Sequence, residues 1–141
     1  MYDSLYYLVQ KDVNLVEDIG IRSERLFLHQ IARDETGLLQ LIDTEIILDT
    51  PMLIGHLTAG PNFGRDGWWF SVVEHETNRH FMYELQAGGE VSEPVMHTGG
   101  AVADHSNWSI GQAAFSPDMT LWANSTEQNG IMLFDFDNAT G

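Results

Sequence analysis

His80-Phe-Met-Tyr-Glu-Leu85, followed by a polar turn that ends at Gly88-Gly89, is the stretch whose reading decides the fold. It has two relatives in the chain. Leu26-Phe-Leu-His-Gln-Ile31 runs to Thr36-Gly37, and Ile131-Met-Leu-Phe-Asp-Phe136 runs to Thr140-Gly141. The closing glycines 37, 89 and 141 stand 52 residues apart. A glycine that closes a short strand supplies the positive φ a tight turn needs.

Working outward, each run is preceded by another strand: Leu5–Val9, Trp68–Val73 and Thr120–Ala123. Ahead of the second and third stand Ile54–Thr58 and Gly111–Phe115, each followed by a turn. A further strand follows the first two glycines, near Glu45–Leu48 and Pro94–His97. Four strands in about 52 residues match the blade of a β-propeller. Trp68–Val73 and Ile131–Phe134 are nearly continuous apolar runs, which a strand needs only when both faces of its sheet are covered. The expected fold is therefore all-β: a partial propeller of about two and two-thirds four-stranded antiparallel blades. Blade one supplies strands B to D over about 1–50, blade two spans about 51–100, and blade three supplies strands A to C over about 101–141. Helix is expected to be nearly absent. Trp68 or Trp69, Phe70, Tyr83, Phe115, Trp122, Leu133 and one of Phe134 and Phe136 are expected to be buried between blades two and three. Tyr6, Leu8, Phe27 and Ile31 on one side, and Trp122, Met132, Phe134 or Phe136 on the other, are expected to face outward.

Composition narrows the function. With 43 % apolar residues in 141 the chain can build a core. No apolar run reaches the ~18 residues of a membrane helix, so no membrane insertion is expected. Cysteine is absent, which excludes disulfides and thiolate chemistry. Met1-Tyr-Asp-Ser4 has no basic n-region, so no signal peptide is expected within the chain. One lysine and five arginines face 21 acidic residues, giving a net charge of −15. Phosphate backbones are repelled by such a surface, and nucleic acid is not an expected partner.

Few motifs suggest chemistry. His75-Glu-Thr-Asn-Arg-His80 is one residue too long for the zinc-protease signature and lies between two strands, so it reads as a hairpin turn. Asp135, Asp137 and Asn138 are the calcium candidates. Ala139 stands where a third acid belongs, and a strand end with polar residues turned outward is the preferred reading. Arg65 and Asp66 before Trp68 and Trp69 form a structural motif. Only one tryptophan can lie on each face, and Asp66 is expected to bond turn amides. Ser116, Pro117 and Asp118 make a turn, in which Pro117 presets φ. The triplets at Asn107, Asn124 and Asn138 match the glycosylation pattern but are short enough to arise by chance. No nucleophile elbow, P-loop or dinucleotide fingerprint occurs, and no catalytic residue, cofactor or metal is assigned.

Gly60-Pro-Asn-Phe-Gly-Arg-Asp-Gly-Trp-Trp69 with His80–Leu85, Ser106–Asp118 and Gly130–Gly141 resembles the recurrent strings of exported Bacteroidetes propellers. These are similar to WD40-like repeat proteins. The resemblance covers residues 55–141 closely and 1–54 by pattern. Phe63, Gly67 and Met119 depart from the family strings. The resemblance implies a secreted or cell-surface protein of the type IX secretion system. It also implies a non-catalytic role in binding or display, toward a protein or glycan ligand and beside the remaining blades of the same propeller. Two alternatives stand: a propeller hydrolase or lyase with its active site in other blades, and a calcium-stabilised adhesin.

Overall fold

The computed structural model describes residues 4–16, 20–102 and 111–141. They form eleven strands: β1 (Ser4–Lys11), β2 (Asn14–Val16), β3 (Gly20–Arg33), β4 (Leu39–Met52), β5 (Thr58–Asn62), β6 (Gly67–Val73), β7 (Arg79–Gln86), β8 (Val95–Thr98), β9 (Gly111–Phe115), β10 (Leu121–Thr126) and β11 (Gly130–Asp135). No helix occurs among the described residues. The strands make three sheets. In the first, β3 pairs with β1, β2 and β4; the second has the order β5-β6-β7-β8; the third has the order β9-β10-β11. Every pairing is antiparallel.

The second sheet is covered on both faces, and β6 shows why its sequence is apolar throughout. Successive side chains point to opposite faces. Phe70 and Val72 join Leu26, Leu28, Met52, Tyr83 and Leu85 in a cluster toward the first sheet. Trp69 and Val73 join Met82, Met119, Trp122 and Phe136 in a cluster toward the third. At about 25 cal/mol per Å² of apolar surface removed from water, these two layers are the main source of cohesion.

The three closing glycines have φ of 86°, 92° and 91°, so each turn uses the conformation that glycine permits. The turns are nevertheless unequal. Gly37 N donates to Asp34 O and Gly89 N to Gln86 O, three residues back, both at 2.9 Å. Gly141 N donates to Asp137 O, four residues back, at 2.8 Å. One extra residue in the third turn shifts the preceding strand by one position, and such a shift exchanges the two faces. Phe134 and Phe136 turn inward. Leu133, expected in the core, is 62 % exposed, and Ile131 is 78 % exposed.

Other expectations are corrected as well. Phe70 and Tyr83 are buried, but between the first and second sheets, where their rings stack at 5.1 Å. Trp122 and Phe136 face the core, so Ile131 and Leu133 are the outward apolar residues of the third sheet. Phe27, Ile31 and Phe115 are half-buried. The first strand of the second sheet is Thr58–Asn62 rather than Ile54–Thr58. Gly55 breaks the chain direction with φ of 79°, and Pro61 is tolerated because β5 lies at a sheet edge. The short β2 and the long β3 and β4 were not expected.

Candidate functional site

Polar side chains collect where the second and third sheets meet. Glu84 on β7 is buried and accepts Asn62 Nδ2 at 2.8 Å and Arg65 Nη1 at 2.6 Å. Arg65 is thus the ionic partner of a buried carboxylate. Asp66 is exposed and engages through its backbone, its carbonyl accepting Ala87 N at 2.9 Å. The turn amide expected to bond Asp66 is held by Asn62 instead: Gly64 N donates to Asn62 Oδ1 at 3.1 Å. The two tryptophans divide between faces. Trp69 is buried and its Nε1 donates to Asn138 O at 2.9 Å, whereas Trp68 is 54 % exposed.

Asn138 ties the third sheet to the second. Its Oδ1 accepts Phe63 N at 2.7 Å and its Nδ2 donates to Pro61 O at 2.9 Å. Asp137 accepts Ala139 N and Thr140 Oγ1, both at 2.9 Å, and the first of these bonds holds its carboxyl below the usual range. Asp135 is exposed. These three candidates are adjacent, but two of them are spent on turn and sheet-joining bonds. No group of three or more His, Asp or Glu suited to a metal occurs among the described residues.

The Ser116 turn is self-contained. Ser116 Oγ donates to Asp118 Oδ1 at 2.6 Å and accepts Leu121 N at 2.9 Å. Thr120 Oγ1 adds a bond to Asp118 at 2.8 Å, and these hydroxyls lower the Asp118 pKa, Ser116 foremost. Pro117 is exposed in the bend. Met119 follows with φ of 54°, in the left-handed region, yet its side chain is buried against Gly60. The His75–His80 segment spans the β6–β7 connection and the start of β7, and is pinned by His75 N to Pro51 O at 2.9 Å and by the Glu74–Arg79 ion pair. Of the glycosylation triplets, Asn124 is buried, Asn138 is engaged, and Asn107 lies outside the described residues.

Two cavities adjoin this framework. One, of about 450 Å³, opens between β7–β8 and β11 and is lined by His80, His97, Trp122, Phe134, Asp135 and Asp137. His80 is buried, its Nε2 lies 3.0 Å from Gly99 O, and its ring meets Trp122 edge-on at 4.9 Å. Burial lowers its pKa, and because a carbonyl only accepts, Nε2–H donates to Gly99 O. The other is a groove of about 570 Å³ beside β1, with Trp68, Leu57 and Phe70 opposite Leu5, Tyr7 and Val9. Neither has a direct signal in the sequence, because each depends on which strands become neighbours. No family model, curated protein or solved structure matches the chain.

Proposed function

We propose that the chain is a segment of a β-propeller in a secreted or cell-surface protein, with a non-catalytic role in binding a protein or glycan ligand. The supporting observation is the second sheet, clothed on both faces by sheets that follow the same strand–turn–glycine plan. Stacked meanders of this kind are how blades build a ring. The outer faces fit the same reading: Tyr6 and Leu8 are exposed on the first sheet, and Ile131 and Leu133 on the third. Further blades of the ring would cover them. The first strands β5 and β9, which line the axis of a propeller, carry mainly small residues such as Ala59, Gly60, Ala113 and Ala114. An enzyme would place acids, bases or arginines there. The shifted aspartates Asp34, Asp118 and Asp137 are instead occupied in turns.

Light scattering with thermal unfolding of residues 1–141 tests the propeller reading. Association or a broad, weakly cooperative transition is expected. A compact monomer with one sharp transition would overturn it. Hydrolase or lyase turnover by the longest protein carrying these residues would overturn the non-catalytic part.

A further inference from the structure

The three sheets can be placed in register through the residue whose carbonyl opens each turn: Asp34, Gln86 and Asp137. On that basis Tyr6↔Ile31, Phe70↔Tyr83 and Trp122↔Phe134 are the same pair in three sheets. Leu28 then corresponds to His80, Gln30 to Met82, and Tyr7 to Ser71. The two spaces between sheets differ at the last of these positions. Between the first and second sheets, Leu28, Gln30, Asp43, Glu45 and Gly88-Gly89 surround Tyr7, whose hydroxyl donates to Gly88 O at 2.8 Å, and a space of only about 110 Å³ is left. Between the second and third, the small Ser71 replaces that ring and its hydroxyl is spent on Trp122 Nε1 at 2.9 Å. The space there is the cavity of about 450 Å³ beside His80, within the range of small-ligand sites. Strand β8 is in place beside β7, yet it lines none of the smaller space. A strand beside β11 would by the same register leave the larger one open.

We propose that this cavity binds a small organic ammonium ion, whose apolar body lies against Trp122, Phe134 and Phe136 and whose N–H groups donate to Asp137. Such a ligand goes beyond the protein or glycan suggested above, and its site does not depend on further blades.

Charge selects a cation. Every residue that lines the cavity lies between His80 and Gly141, a stretch with eight acidic residues and no lysine or arginine. Asp137 keeps acceptor capacity, because Ala139 N and Thr140 Oγ1 take one site on each oxygen and a carboxylate offers about four. The same bonds keep it ionised. His80 gives its Nε2–H to Gly99 O, and its buried Nδ1 has no partner among the described residues. A second proton on that ring would have nothing to bond, so the ring stays neutral and does not repel a cation. His97 is engaged in the same way, its Nε2–H donating to Gly141 O at 3.0 Å. The walls favour the same ligand. The faces of aromatic rings attract an ammonium group, and Trp122 and Phe134 stand 5.4 Å apart at 39°. A metal ion would need oxygen ligands on most sides, which aromatic walls do not provide. No side-chain amide or arginine lines the cavity to donate to a sugar oxygen, so an ammonium is favoured over a glycan.

The test is calorimetric titration of the full chain with phenethylammonium chloride above neutral pH and at fixed ionic strength, beside phenethyl alcohol, ammonium chloride and glucose. Saturable one-to-one binding of phenethylammonium is expected, with each of the others at least about tenfold weaker. Asp137→Asn should weaken binding at least about tenfold. Asp34→Asn removes the same charge from the corresponding turn of the first sheet and should leave binding unchanged. Thr98→Trp fills the cavity from the exposed end of β8 and should abolish binding without touching the turn, so it carries the test if Asp137→Asn fails to fold. No saturable binding, equal binding of the alcohol or of glucose, equal loss in the two aspartate variants, or binding that survives Thr98→Trp would overturn the proposal. Light scattering on the same samples reports association through the outer faces, so the propeller reading can fail while the cavity still binds, or the reverse.

Discussion

Lys11, the one lysine of the chain, buries most of its stem beside the second sheet and donates Nζ to Leu53 O at 2.6 Å. Burial lowers its pKa from 10.5 to about 8. Between those values the unfolded chain holds a proton that the folded chain has released, so raising the pH through that window favours folding. Below pH 8 both states are charged and the penalty is constant. The unfolding free energy of the wild type should therefore rise relative to Lys11→Met between pH 7.5 and 10, by up to about 2 kcal/mol after discount for residual solvent. Tyr83, pushed up to about 12 by burial, acts in the opposite sense only above pH 10. A flat difference between the two proteins would mean that Lys11 is solvated. Trp69 offers a second residue-level check. Its removal leaves a cavity and frees Asn138 O, and Trp69→Ala should cost roughly 3–5 kcal/mol in urea unfolding.

At the scale of the strand, the alternation of faces decides which substitutions matter. Leu133→Thr should change stability by no more than about 0.5 kcal/mol, because the side chain is exposed. Trp122→Ala, one strand away and buried with Nε1 bonded to Ser71 Oγ at 2.9 Å, should cost several kcal/mol. The opposite ranking would restore the register expected from the sequence. Met119→Gly sets two effects against each other. It relieves a left-handed backbone worth about 1 kcal/mol and removes a buried side chain worth about 2–5 kcal/mol, so net destabilisation is expected. Most strands, though not β2 or the full lengths of β3 and β4, were legible: Trp68–Val73 is too apolar for a one-sided sheet, and Gly37, Gly89 and Gly141 mark turns that need positive φ. The face assignment of β11 was not legible, since the equal spacing of the glycines conceals an unequal turn. The bonds of Asn62 and Asn138 were hidden too, because their partners lie 22 and 75 to 77 residues away. Asp66 was credited with a role that its neighbour Asn62 performs from the preceding strand.

For the whole molecule, cohesion comes from two apolar layers and the exposed remainder determines association. Ile131 and Leu133 on the third sheet, with Tyr6 and Leu8 on the first, present apolar surface on opposite sides of the stack. Such faces drive association even in an acidic protein. Replacing Ile131 and Leu133 by lysine and glutamate should raise the monomer fraction in light scattering without lowering the unfolding midpoint. An unchanged mass distribution would place the association elsewhere.

The extra residue in the turn from Asp137 to Gly141 carries a lesson for recombining these modules. Units excised and exchanged at their terminal glycines would have matching lengths, yet a graft of β11 in place of β7 would turn Phe134 and Phe136 toward the following sheet instead of the preceding one. Chimeras should be cut instead at the residue that opens the turn, where Asp34, Gln86 and Asp137 are equivalent. Splices made there keep Phe134 and Phe136 toward the preceding sheet even though their lengths no longer agree.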